Sequence, residues 1–492
     1  MSSFARESVY KIGRITMVVA VALLSARAEA QEAPVPPPPA NSTPETVSVP
    51  AASTPPAPDA VTQGRPDAVT QGRIDALEQR TQLLESKLAS ASASPAPLKS
   101  TTTFQTDEGG FAITSADRQY QVRFKGILQV DGRRIFDNTP LQNSVDTFIV
   151  RRARPILAGT LFGLTDFMFV PDFGNNTVAL FDAYADTHPF PWLRFRVGKF
   201  KGPVGLERLQ ADSDLVFAER SLTQNLSPQR EVGLELWGDI AGGIIRYEGG
   251  VFNGNPDNGN NDIDSDHAKS FEGRVLVQPF SAPSLKGLGR LAVGVAASTG
   301  NELGTATNTW VGAFKSFSQS TIFSYLTSTP ASTVFAKGRH TRVNPQAFYY
   351  IGPFGLLAEW VHEYQELANS VGSGSVNNSA GNVVASFVIG GDETYEGVKP
   401  HHNLDLANGG FGALEIAARY NWLDIDHAAF PTAANPTTAV NRARALGVGL
   451  GWQLSRNLRA AGDYEQTWFD AGAKGVNRTT EKMGIARFQV AF

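Results

Sequence analysis

The chain has no cysteine in 492 residues, which excludes a disulfide scaffold and any thiolate metal site and is compatible with an oxidising compartment. It also lacks an apolar run near the ~20 residues that a spanning helix needs; Ile15 to Leu24 falls well short. Membrane residence would therefore have to use strands. Charge of one sign is missing too: 43 Lys and Arg against 47 Asp and Glu leave a formal −4, which argues against a nucleic-acid partner. There is no HExxH spacing, no GxSxG elbow and no nucleotide-cradling glycine loop, so no enzyme, cofactor or metal is expected. Asp262, Asp264 and Asp266 in NPDNGNNDIDSD read as a solvated acidic loop rather than a calcium site.

What is present falls into four segments. Lys11 and Arg14 precede the apolar stretch, and Ala28-Glu29-Ala30 follows it with small-x-small spacing. Residues 1–30 are thus expected to be a signal peptide cleaved after Ala30. Residues 31–72 read as a disordered Pro-rich linker; they include the run Pro36 to Pro39, and PDAVTQGR at 58–65 recurs at 66–73, a duplicated spacer. Residues 73–90 predict a short helix over Ile74 to Ala89 with Ile74, Leu77, Thr81, Leu84 and Leu88 at heptad a and d positions, a coiled coil if three copies are gathered. The remainder, 104–492, is all-β.

From about Tyr120 the apolar residues repeat every second position. Val122, Phe124, Gly126, Leu128 and Val130 alternate with Gln121, Arg123, Lys125, Gln129 and Asp131. A soluble sandwich and a membrane barrel share that pattern. The chain end favours the barrel: Phe488, Val490 and Phe492 share one face, and a terminal aromatic resembles the signal read by the barrel-assembly machinery. Aromatics also gather near predicted strand ends (Phe190, Trp192, Trp237, Tyr349, Tyr350, Trp360, Trp422, Trp452, Trp468), as interfacial girdles require. Tight connections (188–191, 352–355) alternate with long polar ones (255–268, 300–338, 366–381, 427–441). Strands are expected to begin near residues 120, 147, 166, 177, 193, 232, 244, 271, 290, 343, 355, 383, 412, 444, 458 and 482. The expected fold is a 16-stranded antiparallel transmembrane β-barrel in the bacterial outer membrane, surrounded by lipid and lipopolysaccharide, with an aqueous lumen.

Basic residues concentrate early. Between Arg118 and Arg230 there are 15 Lys and Arg against 11 Asp and Glu, the reverse of the whole chain. Arg194 and Arg196 lie opposite Leu193, Phe195 and Val197, so they should point inward, as should Arg123 and Lys125. A lipid-facing charge near the midplane costs roughly 2–4 kcal/mol. In RRAR, Arg152 and Arg154 share a face that Arg151 does not, so one of these must sit at a rim, a bulge or a loop. The stretch 200–230 is too long for a tight turn; folded inward, it would bring Arg208, Arg220 and Arg230 to a constriction. Together with Arg133, Lys199 and Lys201, these bases suit small anions, because guanidinium groups stay charged and bind phosphate bidentately. The alternative is that they pair with nearby carboxylates.

The series FIVRRARPILAGTLFG (148–163), LRFRVGKFKGPVGLE (193–207), VFAERSLTQNL (216–226) and YEGGVFNGNP (247–256) resembles the phosphate-selective porin O and P family. The resemblance covers about 104–492. It implies a sixteen-stranded homotrimeric barrel whose arginine ladder and lysines pass anions, chiefly phosphate or polyphosphate. Two other readings are a general or sugar-permeable porin and a barrel that tethers the envelope through its N-terminal extension.

Overall fold

The computed structural model describes residues 68–92, 102–107, 109–136, 145–264, 266–281, 283–430, 432–435, 439–471 and 478–492. The expected signal peptide, its cleavage site and the linker up to residue 67 lie outside the described residues. The chain divides into two units, Met1–Ser94 and Pro95–Phe492.

In the first unit, helix α1 spans Ala68–Ser92, starting earlier and ending later than the heptad alone indicates. Ala, Leu, Glu, Gln and Arg dominate it, all strong helix formers, which carries the helix through Gly72. Ile74, Leu77 and Leu84 are exposed along its length.

The second unit is a closed barrel. Its strands are β1 Gln121–Ile135, β2 Thr147–Leu161, β3 Thr165–Asp172, β4 Ala179–Phe190 and β5 Leu193–Phe200. They continue with β6 Glu231–Ile240, β7 Ile245–Phe252, β8 Ser270–Val277, β9 Arg290–Leu303, β10 Phe335–Ile351 and β11 Phe354–Ala368. The last are β12 Ser373–Ile389, β13 Ala413–Asp424, β14 Val440–Ser455, β15 Leu458–Ala471 and β16 Glu481–Ala491. Each pairs antiparallel with the next, and β16 closes the ring on β1 from Met483↔Ile135 to Ala491↔Ile127. Closure leaves no sheet edge to be satisfied in hydrocarbon. Phe492 completes the seam, exchanging hydrogen bonds with Gly126 at 2.9 and 3.0 Å. A hairpin of Thr103–Asp107 and Gly110–Thr114 extends the sheet beside Gln121 to Phe124.

The end that holds Gln121 and Ala491 is termed the base and the opposite end the rim. Alternation decides which side chains face out. In β9, Val293 and Val295 are exposed while Ala292, Ala296 and Ser298 are buried. Aromatic pairs ring the base (Tyr120–Phe162, Phe190–Trp192, Phe354–Phe387, Phe411–Trp452) and the rim (Phe136–Tyr464, Tyr420–Trp422). Two of the aromatics expected in these girdles belong elsewhere. Trp237 and Tyr350 are buried on the inner face, Trp237 against Arg194, Arg196 and Arg246.

The connection expected at 366–381 is a four-residue turn, because β11 and β12 run on through it. The long connection is instead at the base, 390–412, where Tyr395, between the short ladder strands Gly391–Asp392 and Lys399–Pro400, reaches inward to donate to the Leu206 carbonyl at 2.7 Å. Rim loops are numbered L1 to L8 in chain order; four shape the lumen: L3 (201–230), L4 (253–269), L5 (304–334) and L7 (425–439). Leu222 and Leu226 of L3, Phe314 and Phe323 of L5, and Ala429 of L7 form an apolar cluster with inward residues of β11 to β15 such as Val361 and Leu423. That side of the lumen is filled.

Candidate functional site

L3 crosses the lumen and is anchored to the far wall through its backbone. The Leu206 amide donates to Glu359 at 2.7 Å, the Gly205 and Leu222 amides to Asn344 and Asn421 at 3.1 Å, and the Ala218 amide to Asp463 at 2.6 Å. Its carbonyls accept from wall arginines: Glu219 from Arg419 at 2.8 Å, Val216 from Arg459 at 2.7 Å, and Ala218 from Arg487 at 2.5 Å. Room for the crossing comes from inward-facing glycines. A Cβ on Gly447 or Gly449 would lie 3.2–3.3 Å from the Phe217 ring of L3.

The parity conflict in RRAR is resolved by a bulge. Arg152 pairs with Gln129 and Val150 with the next residue, Val130, so Arg151 is the extra residue and all three arginines turn inward. Arg151 binds Glu219 at 2.5 Å, as does Arg133 at 2.6 Å. Arg152 lies 3.3 Å from Asp212, and Arg154 bridges Asp172 at 2.6 Å and Asp212. L3 therefore places two of its four carboxylates, Asp212 and Glu219, among the β2 arginines. Burial alone would raise both groups, but Arg151, Arg152 and their neighbours outweigh it and hold both well below the usual carboxylate range.

On β5, Arg194 meets Asp166 and Asp186 at 3.1 and 3.2 Å, and Arg196 meets Asp186 and Glu235 at 2.8 and 3.3 Å. Gly198 then takes φ +127°, which breaks the alternation so that both Lys199 and Phe200 are buried. A Cβ there would lie 2.2 Å from the Ala183 carbonyl oxygen. Lys199 pairs with Asp262, Arg123 with Asp107 at 2.9 Å, Arg220 with Asp212, and Arg230 with Asp182 at 3.2 Å.

Ten of the thirteen expected bases thus hold a carboxylate; among the described residues Lys125, Lys201 and Arg208 do not. Lys201 donates to the Gln210 carbonyl at 2.6 Å, and Arg208 to the Gln224 carbonyl at 2.8 Å and Asn258 at 3.0 Å. Burial, with Arg220 and Arg230 close by, pushes Lys201 well below its ordinary value and Arg208 down to about 9. Positive charge is locally in excess there.

Among the described residues the lumen holds a cavity of about 570 Å³ between L3 and the wall of β1 to β5. Lys125, Arg154, Arg196, Lys201 and Arg230 line it, together with Arg456. Its carboxylates are Asp182, Asp212, Asp214 and Glu396. Arg133, Arg151, Arg152, Arg208 and Arg220 sit behind that lining and fix L3. The inner carboxylates of β6 to β12, among them Glu231, Glu272, Glu302, Glu359 and Glu363, are buried away from the cavity.

Sequence reasoning missed Arg419, Arg459 and Arg487, which anchor L3 from β13, β15 and β16. The signal was available: each lies two residues along its strand from another inward position (Ala417, Ala461 and Gln489), opposite lipid-facing neighbours such as Tyr420 and Phe488.

A closed sixteen-stranded barrel with an apolar exterior, aromatic girdles and an inward-folded third loop defines a porin of the bacterial outer membrane. The chain belongs to the phosphate-selective porin O and P family, whose description matches residues 122–492. Among solved structures it is similar to the outer membrane channel DcaP of Acinetobacter baumannii at 10% identity and TM-score 0.50, over 78% of this chain and 100% of that one. It is also similar to the anion-selective porin from Comamonas acidovorans, at 12% identity and TM-score 0.46, over 76% and 100%. A third is the trimer form of OmpT of Vibrio cholerae, at 11% identity and TM-score 0.44, over 76% and 99%. None of the curated proteins matches.

Proposed function

We propose that this porin passes small anions by passive diffusion, with phosphate or polyphosphate preferred, through the cavity between L3 and the β1 to β5 wall. The observation that carries the reading is the placement of charge around the open space. Bases line it, Lys125 and Lys201 without a carboxylate partner, while the acidic wall of β6 to β12 is roofed over. An anion entering would replace part of its hydration shell with ammonium and guanidinium donors, and its charge would favour the protonated form of Lys201. Sites held partly by intramolecular carboxylates are weak, which lets an ion leave as readily as it enters. In the cell the base faces the periplasm, the signal peptide is removed after Ala30, and three copies associate.

A second reading has its own observation. Ten paired bases leave little net field, as suits a general or sugar-permeable porin. The zero-current potential of the purified protein in a planar bilayer under a KCl gradient separates the two. Anion selectivity with chloride current blocked by phosphate supports the first reading, and absence of selectivity supports the second. Cation selectivity overturns both.

A further inference from the structure

Near the rim, three carboxylates and one histidine converge in a buried cluster that no part of the conduction pathway uses. Asp257 comes from L4, His340 from β10 and Glu363 from β11, with one ligand-capable atom of each within 4.8 Å of the others. Nothing in the chain spacing announces them, because they lie on three separate elements.

Each of the three has its remote atom already fixed. His340 Nδ1 lies 2.7 Å from Glu302 Oε1, and Gln365 Nε2 holds the other Glu302 oxygen at 3.0 Å. Asn378 Nδ2 donates to Glu363 Oε2 at 2.7 Å. Arg342 donates to Asp257 Oδ1 at 2.7 and 2.9 Å. What remains pointing at a common centre is His340 Nε2, Glu363 Oε1 and Asp257 Oδ2. A histidine whose Nδ1–H is given to a carboxylate presents its Nε2 lone pair in the correct tautomer for a metal, and ligating carboxylates are normally steadied in the same way.

Two further observations point to a missing ligand. The Tyr325 hydroxyl, on L5 and within electrostatic reach of Glu363 and Asp257, is only 3% exposed and makes no well-formed hydrogen bond. Charge is also unbalanced. Asp257, Glu302 and Glu363 face Arg342, which sits 3.3 Å from His340 Nδ1 and opposes a cation. Three carboxylates thus face one guanidinium, and His340 Nε2 lies within hydrogen-bond distance of Glu363 at 2.6 Å, so a bound ion would take the place of the ring proton held between them.

We propose that Asp257, His340 and Glu363 form a binding site for one divalent transition-metal ion of the zinc class, with Glu302, Asn378 and Arg342 as its outer support. His340 Nε2 is 2.6 Å from Glu363 and 4.0 Å from Asp257. Ligand atoms on a tetrahedral zinc with bonds of ~2.0–2.1 Å lie roughly 3.3 Å apart. Closing around the ion therefore asks these two contacts to change by less than about 1 Å. The bound ion would tie L4 to the β10–β11 wall. Nitrogen and carboxylate ligands without sulfur suit zinc and its neighbours better than a soft monovalent ion.

The test uses the full chain refolded in detergent, incubated with Zn2+ alone and dialysed, with metal content and calorimetric affinity measured. Wild type is expected to retain about one zinc per chain, with affinity falling about tenfold or more in Glu363→Gln, and by ~10–100-fold in Glu302→Gln, which, of the three ligands, contacts the histidine. Heat-modifiable gel mobility identifies folded variants. If neither variant folds, the visible absorption of Co2+ bound to wild type decides, because intense bands signal four-coordinate ligation. Failure of wild type to retain zinc, unchanged affinity in folded variants, or a Co2+ spectrum matching the aqueous ion each overturns the proposal. Conductance plays no part in these readouts, so they stand apart from anion selectivity.

Discussion

Arg151 and Glu219 meet across the junction of wall and loop, two N–H groups of the guanidinium donating to the two carboxylate oxygens at 2.5 and 2.9 Å. Arg133 shares the same carboxylate at 2.6 Å, and Arg487 lies 3.6 Å from it. Glu219 is thus the counter-charge of three arginines on β1, β2 and β16.

Glu219→Gln should therefore separate stability from selectivity. Removing one partner of a buried ion pair costs roughly 3–5 kcal/mol, because the remaining charges are left uncompensated. The same excess positive charge should deepen anion preference. The expected outcome is a lower thermal midpoint together with a larger anion-selective zero-current potential. A variant that is less stable and less anion-selective would mean that Glu219 positions L3 without shaping its field.

Much of this arrangement is visible in the sequence, and where it is not, the cause is physical. The alternation that reveals β1 to β9 exists because outward side chains meet lipid. Above the hydrocarbon the outward face turns polar and the signal fades. That is why β10 and β12 begin about eight and ten residues earlier than expected, in FAKGRHTRV and SGSVNNSAGN. Parity in RRAR announced a defect in the strand but not its kind, since a bulge and a rim leave the same trace. The cluster of Asp257, His340 and Glu363 had no local signature, because register and loop folding alone bring it together.

Asp214 gives the cavity a pH response. It lies in L3, where burial, with Glu396 and Asp212 nearby, raises its carboxyl to about 6 against the opposing Ser213 hydrogen bond and Lys201. The sign follows directly. Above that value Asp214 is negative and weakens the basic field; as pH falls through it the charge is lost and the field strengthens. Anion selectivity should rise between about pH 8 and about pH 5. Asp214→Asn should show the low-pH selectivity at both ends, and a variant that keeps the full wild-type pH response would assign it to another group.

Arg459 tests what holds L3 in place. It donates to the Leu215 and Val216 carbonyls, the latter at 2.7 Å, and to Glu415 at 2.8 Å. Arg459→Gln keeps a donor but is too short to span wall and loop. Single-channel recordings should show more open-state noise and a larger mean conductance as L3 loosens, with the barrel intact by circular dichroism. Unchanged noise would mean that Arg419 and Arg487 suffice.

Lys201 is where excess positive charge and open space coincide. Its ammonium lines the cavity, donates to the Gln210 carbonyl at 2.6 Å and has its proton affinity lowered by burial and by Arg220 and Arg230. Bound anion favours the charged form, so affinity is highest while Lys201 is protonated and declines as pH rises through its depressed value. Sulfate is the suitable probe, because it stays doubly charged over the whole range while phosphate does not. Block of chloride current by sulfate should weaken with rising pH, well before an ordinary lysine would deprotonate. Lys201→Gln should reduce the block at every pH and flatten its pH dependence, whereas Lys201→Arg, always charged, should keep the block and lose only the slope. A sulfate block equally strong in wild type and Lys201→Gln would move the anion-selecting position elsewhere along the β1 to β5 wall, with Lys125 the next side chain to replace.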